Sequence, residues 1–151
     1  MISLASDLVG LDRPNDGEHL SSFYYIGGSL GVTLAGDFLT LFLFWEIMAF
    51  SSVFLVWYRK IPSSVDSGFR YLLWHVIGGL ILFSGIMIQY SVSDDLSIQY
   101  LPFHGWWPTD IHSLATFLIL IGFIVNAAVP PFGAWLPDAY PAATVTAALF
   151  I

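Results

Sequence analysis

Glu46, His75 and Asn126 each lie within a mainly apolar run of this sequence, and the first is an acid. Glu46 lies near the middle of FLTLFLFWEIMAFSSVFLVWYRK, a run that begins at Phe38. A helix rises about 1.5 Å per residue, so Glu46 would lie roughly 12 Å from Phe38, close to the centre of a hydrocarbon core about 30 Å thick. Carboxyl groups at that depth usually belong to ion or proton pathways. Glu46 is therefore a candidate proton-exchanging group, and a neutral carboxyl group bonded to a backbone carbonyl is the alternative. Ser52 is off the Glu46 face and is expected to serve packing.

His75 and Asn126 are the other two polar side chains. His75 precedes Gly78 and Gly79 by one helical turn, so the imidazole is expected to face a closely packed helix. Histidine can pass a proton on at physiological pH or serve as a structural hydrogen-bond partner, and the sequence leaves both roles open. Asn126 lies in an apolar run, where an amide needs polar partners or water. It is expected to face the bundle interior, where it could bind carbonyl groups freed by a broken helix or hold a water molecule.

The remaining reactive groups match no known catalytic or metal site. The chain has no cysteine, which excludes disulfides, thiolate metal sites and iron–sulfur ligation by this chain. A second intramembrane histidine for bis-histidine haem ligation is missing from the sequence. His104, Asp110 and His112 share one loop, but their spacing fits no specific ligand pattern, and a solvated interfacial loop is the simpler interpretation. We therefore predict no catalytic residue, metal or cofactor in this chain.

The composition places these groups in a membrane. Hydrophobic residues make up 57% of the chain and charged residues 10%, with a mean hydropathy of +0.78. A soluble domain normally carries about 25% charged residues. The net charge of −7, with only four Lys and Arg, excludes generic nucleic-acid binding. The sequence predicts a protein whose helices contact the lipid bilayer.

We predict an all-α membrane protein, built as a bundle of about four transmembrane helices. Residues 1–19 are polar and are expected to form an exposed loop. The predicted spans are 20–36, 38–58, 70–90 and 114–129, and a further helix starts at about 142. Asp37 lies between the first two spans, where it is expected to cap a helix. Gly27, Gly31 and Ala35 recur at four-residue spacing and predict a stripe for close helix packing.

Prolines and cations mark the connections between these spans. Pro130 and Pro131 remove backbone donors and exclude the helical conformation at the preceding residue, so they are predicted to break the fourth helix. Three of the four cations flank the loop expected around Pro62, and the positive-inside rule places this loop in the cytoplasm. The chain stops inside its last predicted helix, so we expect a fragment of a longer protein.

With these residues in place, the sequence resembles the antiporter-like subunits shared by respiratory complex I (the L, M and N type) and Mrp-type sodium/proton antiporters. Three stretches carry the resemblance. AGDFLTLFLFWEIMAFSS resembles the family's fifth helix with its key glutamate. RYLLWHVIGG resembles a sixth-helix variant of the D-type Mrp proteins and related membrane hydrogenase subunits. NAAVPPFGAWLPDAYPAATVTAALF resembles the broken seventh helix and the start of the eighth.

The resemblance implies translocation of protons, or exchange of sodium ions for protons, by a subunit of a complex I-type, membrane hydrogenase-type or Mrp-type assembly. This would place the chain among other membrane subunits in a prokaryotic inner membrane. If the assembly is of the complex I type, the chain would be a subunit of a proton-translocating NADH–quinone oxidoreductase. Glu46, His75 and Asn126 become the candidate translocation residues. Many members carry a lysine at the position of Asn126, and its absence favours the alternative, a structural subunit that does not conduct ions. A lysine shortly after residue 151 would count against that alternative.

Overall fold

The computed structural model of this chain describes residues 16–57, 62–98 and 107–135. Within these ranges the chain is helical, which confirms the predicted all-α class. In order, the elements are α1 (Asp16–Leu34), α2 (Phe38–Trp57), α3 (Pro62–Ser93), α4 (Ile111–Asn126) and a 3₁₀ turn, η1 (Phe132–Trp135). Residues 1–15, His104 and the helix start predicted near 142 lie outside the described residues.

Two of the described helices are long and apolar enough to cross a membrane. They are α2 and the segment Val65–Ser93 of α3, with mean hydropathies of 2.0 and 1.9. The apolar helix α4 has 16 residues. Its length of about 24 Å is shorter than a hydrocarbon core of about 30 Å. The predicted count of about four spans stays a prediction.

Two helices begin earlier than the sequence predicts. α1 begins at Asp16, so residues 16–19 belong to a helix and not to the polar loop expected over 1–19. Acidic residues favour the first turn of a helix because its free N–H groups carry partial positive charge. α3 begins at Pro62, which was expected in a loop. Proline suits the first helical position because the N–H that it lacks would have no partner there.

α3 is the central helix of the described structure. It packs along α4 and also contacts α2, while α1 packs against α2. With 32 residues it is about 48 Å long, so it extends beyond the predicted span 70–90. One buried cluster joins α2, α3 and α4, and we call it the dry cluster: Phe38, Leu82, Ile86 and Ile119. A second cluster joins Val53 of α2 to Tyr71 of α3.

The small residues through which α1 packs on α2 differ from the predicted set of Gly27, Gly31 and Ala35. Gly27 has open space around it among the described residues. A Cβ atom at Gly28 would lie 3.1 Å from the carbonyl oxygen of Phe44, and one at Gly31 would overlap the Phe44 ring. α1 therefore approaches α2 through Gly28 and Gly31, because the Phe44 ring needs the groove that these two residues leave.

Asp37 caps α2, which confirms the predicted role. The Thr40 hydroxyl donates to Asp37 Oδ2 at 2.7 Å and the Thr40 N–H donates to Oδ1 at 2.8 Å. These bonds hold the pKa of the Asp37 carboxyl below its ordinary value of 3.8, and the bond from the Thr40 hydroxyl lowers it most. The next residue, Phe38, donates its N–H to Leu96 O at 2.9 Å, so the segment after α3 is bound to the start of α2.

We predict that Asp37→Ala lowers the free energy of unfolding by about 1 kcal/mol, the usual cost of losing a helix cap. Asp37→Asn retains a capping oxygen and should lose less. The pKa of Asp37 is lower in the folded protein than in the unfolded chain. The charged carboxylate therefore stabilises the fold above the unfolded-state pKa, and this stabilisation is lost as the pH falls through the folded-state pKa. Thermal unfolding of the full-length protein in detergent, at neutral and acidic pH, should therefore show the difference between wild type and Asp37→Asn shrinking in acid. A difference that does not change with pH would contradict this.

Candidate functional site

Two adjacent glycines of α3 receive polar side chains from the helices on either side. The Glu46 carboxyl group of α2 packs on Gly79, where an added Cβ atom would overlap Glu46 Oε1. The Asn126 amide of α4 packs on Gly78, where an added Cβ atom would lie 2.7 Å from Asn126 Oδ1. His75 is buried one turn earlier on the same face of α3. The three predicted site residues therefore come together around the Gly78–Gly79 pair.

His75 is held in place by its own helix. Its Nδ1 lies 3.1 Å from the backbone oxygen of Tyr71, and its ring lies 4.1 Å from the Tyr71 ring between centroids. A carbonyl oxygen only accepts hydrogen bonds, so Nδ1 carries the proton in the neutral imidazole. This contact assigns Nε2 as the basic nitrogen of His75.

Asn126 is the last residue of α4, and the helix ends before the proline pair. Two backbone hydrogen bonds close the turn: Val129 N to Ile124 O at 3.1 Å, and Ala128 N to Val125 O at 3.3 Å. With Ala128 in the left-handed region at a φ of 53°, this is a Schellman ending. Pro130 and Pro131 follow in non-helical backbone. Asn126, in the last turn of α4, has its side chain against Gly78 of α3.

The Asn126 amide is buried with both of its polar atoms unpartnered by the described residues. A buried polar group left without a partner costs about 1–3 kcal/mol. The cavity beside it has a volume of about 100 Å³, and its lining includes Ser52, Tyr71 and His75 together with Asn126. One water takes up about 30 Å³ in the liquid, so about three could fit. Of the two roles expected for Asn126, this arrangement favours holding water over binding the freed carbonyls.

Ser52 and Tyr71 belong to this polar group, although the sequence does not predict it. The Ser52 hydroxyl is fully buried and lies 2.6 Å from the Tyr71 hydroxyl. The one signal in the sequence is that Tyr71 precedes His75 by four residues and so shares its helical face. Ser52 lies nineteen positions before Tyr71, and only the packing of α2 on α3 brings the two together. Glu46 is not among the residues that line the cavity, but its neighbour Trp45 is.

Asp110, considered above in a metal-site context, has a structural role. It caps α4 by accepting the Ser113 N–H at 2.8 Å, while its own N–H donates to the Ser113 hydroxyl at 3.0 Å. This reciprocal pair is a capping box. Within the described residues, no three His, Asp or Glu side chains are placed to hold a metal ion.

The fold and the site define an all-helical membrane protein with ionisable and amide groups buried between its helices. The chain belongs to the NADH:quinone oxidoreductase/Mrp antiporter transmembrane family, whose model matches residues 35–151. This confirms the resemblance carried by the three sequence stretches, and it identifies the chain as an integral membrane protein.

The curated relatives are much longer than this chain. Subunit A1 of a Na(+)/H(+) antiporter from Staphylococcus aureus strain RF122 is 35% identical over 152 residues, which covers 93% of this chain and 19% of the relative. The same subunit from strain Newman is 35% identical over 142 residues, which covers 87% of this chain and 17% of the relative. The chain thus spans about a fifth of their length. These relatives are A-type, whereas the sixth-helix stretch resembles the D-type Mrp proteins, so the type of this chain stays a prediction.

Three solved structures share the fold. The archaeal membrane-bound sulfane sulfur reductase, a respiratory membrane complex, matches with a TM-score of 0.74 and 29% identity, over 83% of this chain and 26% of its own. The Mrp complex of a Dietzia species matches with a TM-score of 0.71 and 27% identity, and the match covers 84% of this chain and 24% of the Dietzia chain. Respiratory complex I of Thermus thermophilus matches with a TM-score of 0.80 and 23% identity, and the match covers 98% of this chain and 34% of the Thermus chain. At that low identity the match shows a shared fold and nothing about function.

We predict that Gly79→Ala displaces the Glu46 carboxyl group and costs about 1–3 kcal/mol of stability, the usual penalty of overpacking. Gly85→Ala is the matched control on the same helix. A Cβ atom there would lie 2.7 Å from the backbone nitrogen of Ile119, in the dry cluster, and would not touch Glu46. Both variants should lower the melting temperature of the full-length protein. Only Gly79→Ala should shift the infrared carboxyl band of Glu46, which is assigned by its loss in Glu46→Gln. An unmoved band in Gly79→Ala would show that the contact does not hold the carboxyl group.

Proposed function

We propose that this chain forms part of the ion-translocation path of an antiporter-like subunit, with Glu46 as the proton-exchanging group. The observation that carries the proposal is the inward packing of a mid-helix carboxyl group on Gly79, beside the face of α3 that carries His75 and against which Asn126 of α4 packs. The family and the names of the relatives as sodium/proton antiporter subunits support it. The partners would be other membrane subunits of a Mrp-type, hydrogenase-type or complex I-type assembly in a prokaryotic membrane.

The four predicted segments would each cross the bilayer in this arrangement, which makes residues 20–151 part of one transmembrane domain. The lengths of α2 and α3 support two crossings directly. For the other two, α1 packs along α2 and α4 packs along α3. Neighbours that supply buried surface let a short helix such as α4 lie within the hydrocarbon core. The end of α3 that carries Arg70 would face the cytoplasm.

The geometry gives each polar group a separate task. Glu46 binds and releases the proton, and about 1.36 kcal/mol of coupling to a nearby charge changes its proton affinity tenfold. The Asn126 amide holds water in the cavity beside Gly78. His75 lines the same cavity and would relay a proton to or from that water. Gly78 and Gly79 carry no side chains, so the Glu46 carboxyl group and the Asn126 amide both pack on the α3 backbone at adjacent residues.

A structural subunit that conducts no ions is the second candidate. The amide at Asn126, in place of the lysine that the resemblance implies, favours it. The burial of that amide against a polar cavity opposes it, because a contact that serves only packing is more stable when it is apolar. The effects of substitutions at Glu46 and Asn126 separate the two candidates.

We predict that Glu46→Gln abolishes proton-coupled transport by the full-length protein in its complex, because the amide cannot release a proton. The measurement is the pH change inside proteoliposomes after an ion gradient is applied. Asp66→Asn is the control, since it removes a carboxylate from an exposed position on α3 and should leave transport unchanged. Normal exchange by Glu46→Gln would leave only the structural role.

We predict that Asn126→Leu separates stability from transport. Removing an unpartnered buried amide should leave the melting temperature unchanged or raise it, because about 1–3 kcal/mol of desolvation cost is relieved. Transport should slow, because leucine cannot hold water in the cavity. Both quantities are measured on the same purified complex. A variant that is less stable but transports normally would mean that Asn126 serves packing.

A further inference from the structure

We propose that Gln89 is a second water-binding residue of the path, and that the dry cluster separates its water from the cavity at Asn126. Gln89 belongs to α3 and is 2% exposed. Its Oε1 atom is buried and has no hydrogen-bond donor among the described residues. This inference rests on the proposed function, and the experiments below separate the failure of one from the failure of the other.

The hydrogen bonds around Ser93 determine which end of the Gln89 amide is left open. The Ser93 hydroxyl lies 2.7 Å from the Gln89 backbone oxygen and 3.1 Å from Asp95 O, so its single proton goes to a backbone carbonyl. Towards the Gln89 side chain Ser93 Oγ can therefore only accept, and it lies 3.4 Å from Gln89 Nε2. The amide nitrogen thus faces Ser93, and Oε1 is directed away from it. A buried carbonyl oxygen in this position calls for a donor.

Water is the donor that suits the place of Gln89 in the helix. α3 ends at Ser93, about 6 Å further along its axis, and the exposed Asp94 and Asp95 follow. Bulk water is therefore close to this end of the buried face. A water molecule can donate one O–H to Oε1 and direct its other hydrogen bonds to further water. The amide itself gains and loses no proton in this role, because it only orders the water that carries one.

The dry cluster lies between Gln89 and the polar group at Gly78. Gln89 follows Gly78 by eleven positions, which is close to three full turns, so the two share one face of α3 about 16 Å apart. Leu82 and Ile86 of the dry cluster occupy that face between them. The buried amides of Asn126 and Gln89 therefore lie on opposite sides of an apolar layer.

This layer is packed too tightly to hold water between α3 and α4. A Cβ atom added at Gly85 would lie 2.7 Å from the backbone nitrogen of Ile119. One added at Gly122 would lie 2.6 Å from the Cβ atom of Leu82. Transport against a gradient requires that continuous water does not connect the two ends of a path. The dry cluster meets this requirement, with one water-binding amide at each of its ends.

A protein donor is the competing explanation for the open oxygen of Gln89. A group elsewhere in the full-length protein or on another subunit could donate to Oε1, and the amide would then join two parts of the assembly. The two explanations differ in stability, because removing one partner of a buried hydrogen bond leaves the other unpaired. Removing an acceptor that binds only water leaves no protein group behind.

The first test measures transport rate and melting temperature for Gln89→Met in the full-length protein in its complex. Methionine is unbranched and similar in length, so it fills the space without an acceptor oxygen. Transport should slow by roughly two- to tenfold, the change in water occupancy expected for the loss of one hydrogen bond. The melting temperature should stay unchanged or rise. Ser84→Ala removes an exposed hydroxyl from the same helix and should behave as wild type.

The second test measures water access directly, with silver ions as a small thiol-binding probe. The chain has no cysteine, so Gln89→Cys introduces the only thiol of this segment, and the parent protein gives the background. Silver ions added on the side of the membrane opposite the Arg70 end should inhibit transport by Gln89→Cys. Ile86→Cys, one turn deeper in the dry cluster and fully buried, is the matched control and should be insensitive.

Three results would overturn the inference. They are normal transport by Gln89→Met, a lower melting temperature of that variant, which indicates a protein donor, and an equal response of Gln89→Cys and Ile86→Cys to silver. Glu46→Gln is measured in parallel. If Glu46→Gln is inactive while Gln89→Met is normal, the proposed function stands and only the role of Gln89 fails. If Glu46→Gln is fully active, the proposed function fails.

Discussion

The arrangement of this protein depends on a short stretch of α3 that has no side chains. Gly78 and Gly79 let an amide from α4 and a carboxyl group from α2 reach the surface of the same helix, at adjacent residues. Any larger residue would push one of them away, because the space where its Cβ atom would lie is already occupied. The packing of three helices and the grouping of the polar side chains are thus the same structural fact. Close approach of helices through small residues is common in membrane proteins. Here it also positions the Glu46 carboxyl group and the Asn126 amide.

The three candidate residues singled out in the sequence lie together in the structure, but their contacts could not be predicted. Glu46, His75 and Asn126 are recognisable because each is a polar residue in an apolar run, and such residues turn inward. Ser52 and Tyr71 are not recognisable in this way, since hydroxyl groups are tolerated in helices by bonding to their own backbone. Their pairing depends on the rotation of α2 against α3, which helical spacing does not determine.

The same limit explains the differences in the fold. Four-residue spacing selected Gly27 and Gly31, but the Phe44 ring decides which face of α1 is used, and it selects Gly28 and Gly31. The all-α class follows from composition and was predicted correctly. The helix starts at Asp16 and Pro62 depend on end effects, in which acidic residues and proline are favourable although both are usually read as loop residues. Each error concerns orientation or an end, and none concerns the kind of structure formed.

The length of α3 has a mechanical consequence. It is one uninterrupted helix from Pro62 to Ser93, and its hydrogen-bonded backbone resists bending over that distance. Its first turns lie before the predicted span, while its middle forms the floor under Glu46 and Asn126. The first turns of α3 are therefore joined by one continuous helix to the glycine pair on which Glu46 and Asn126 pack.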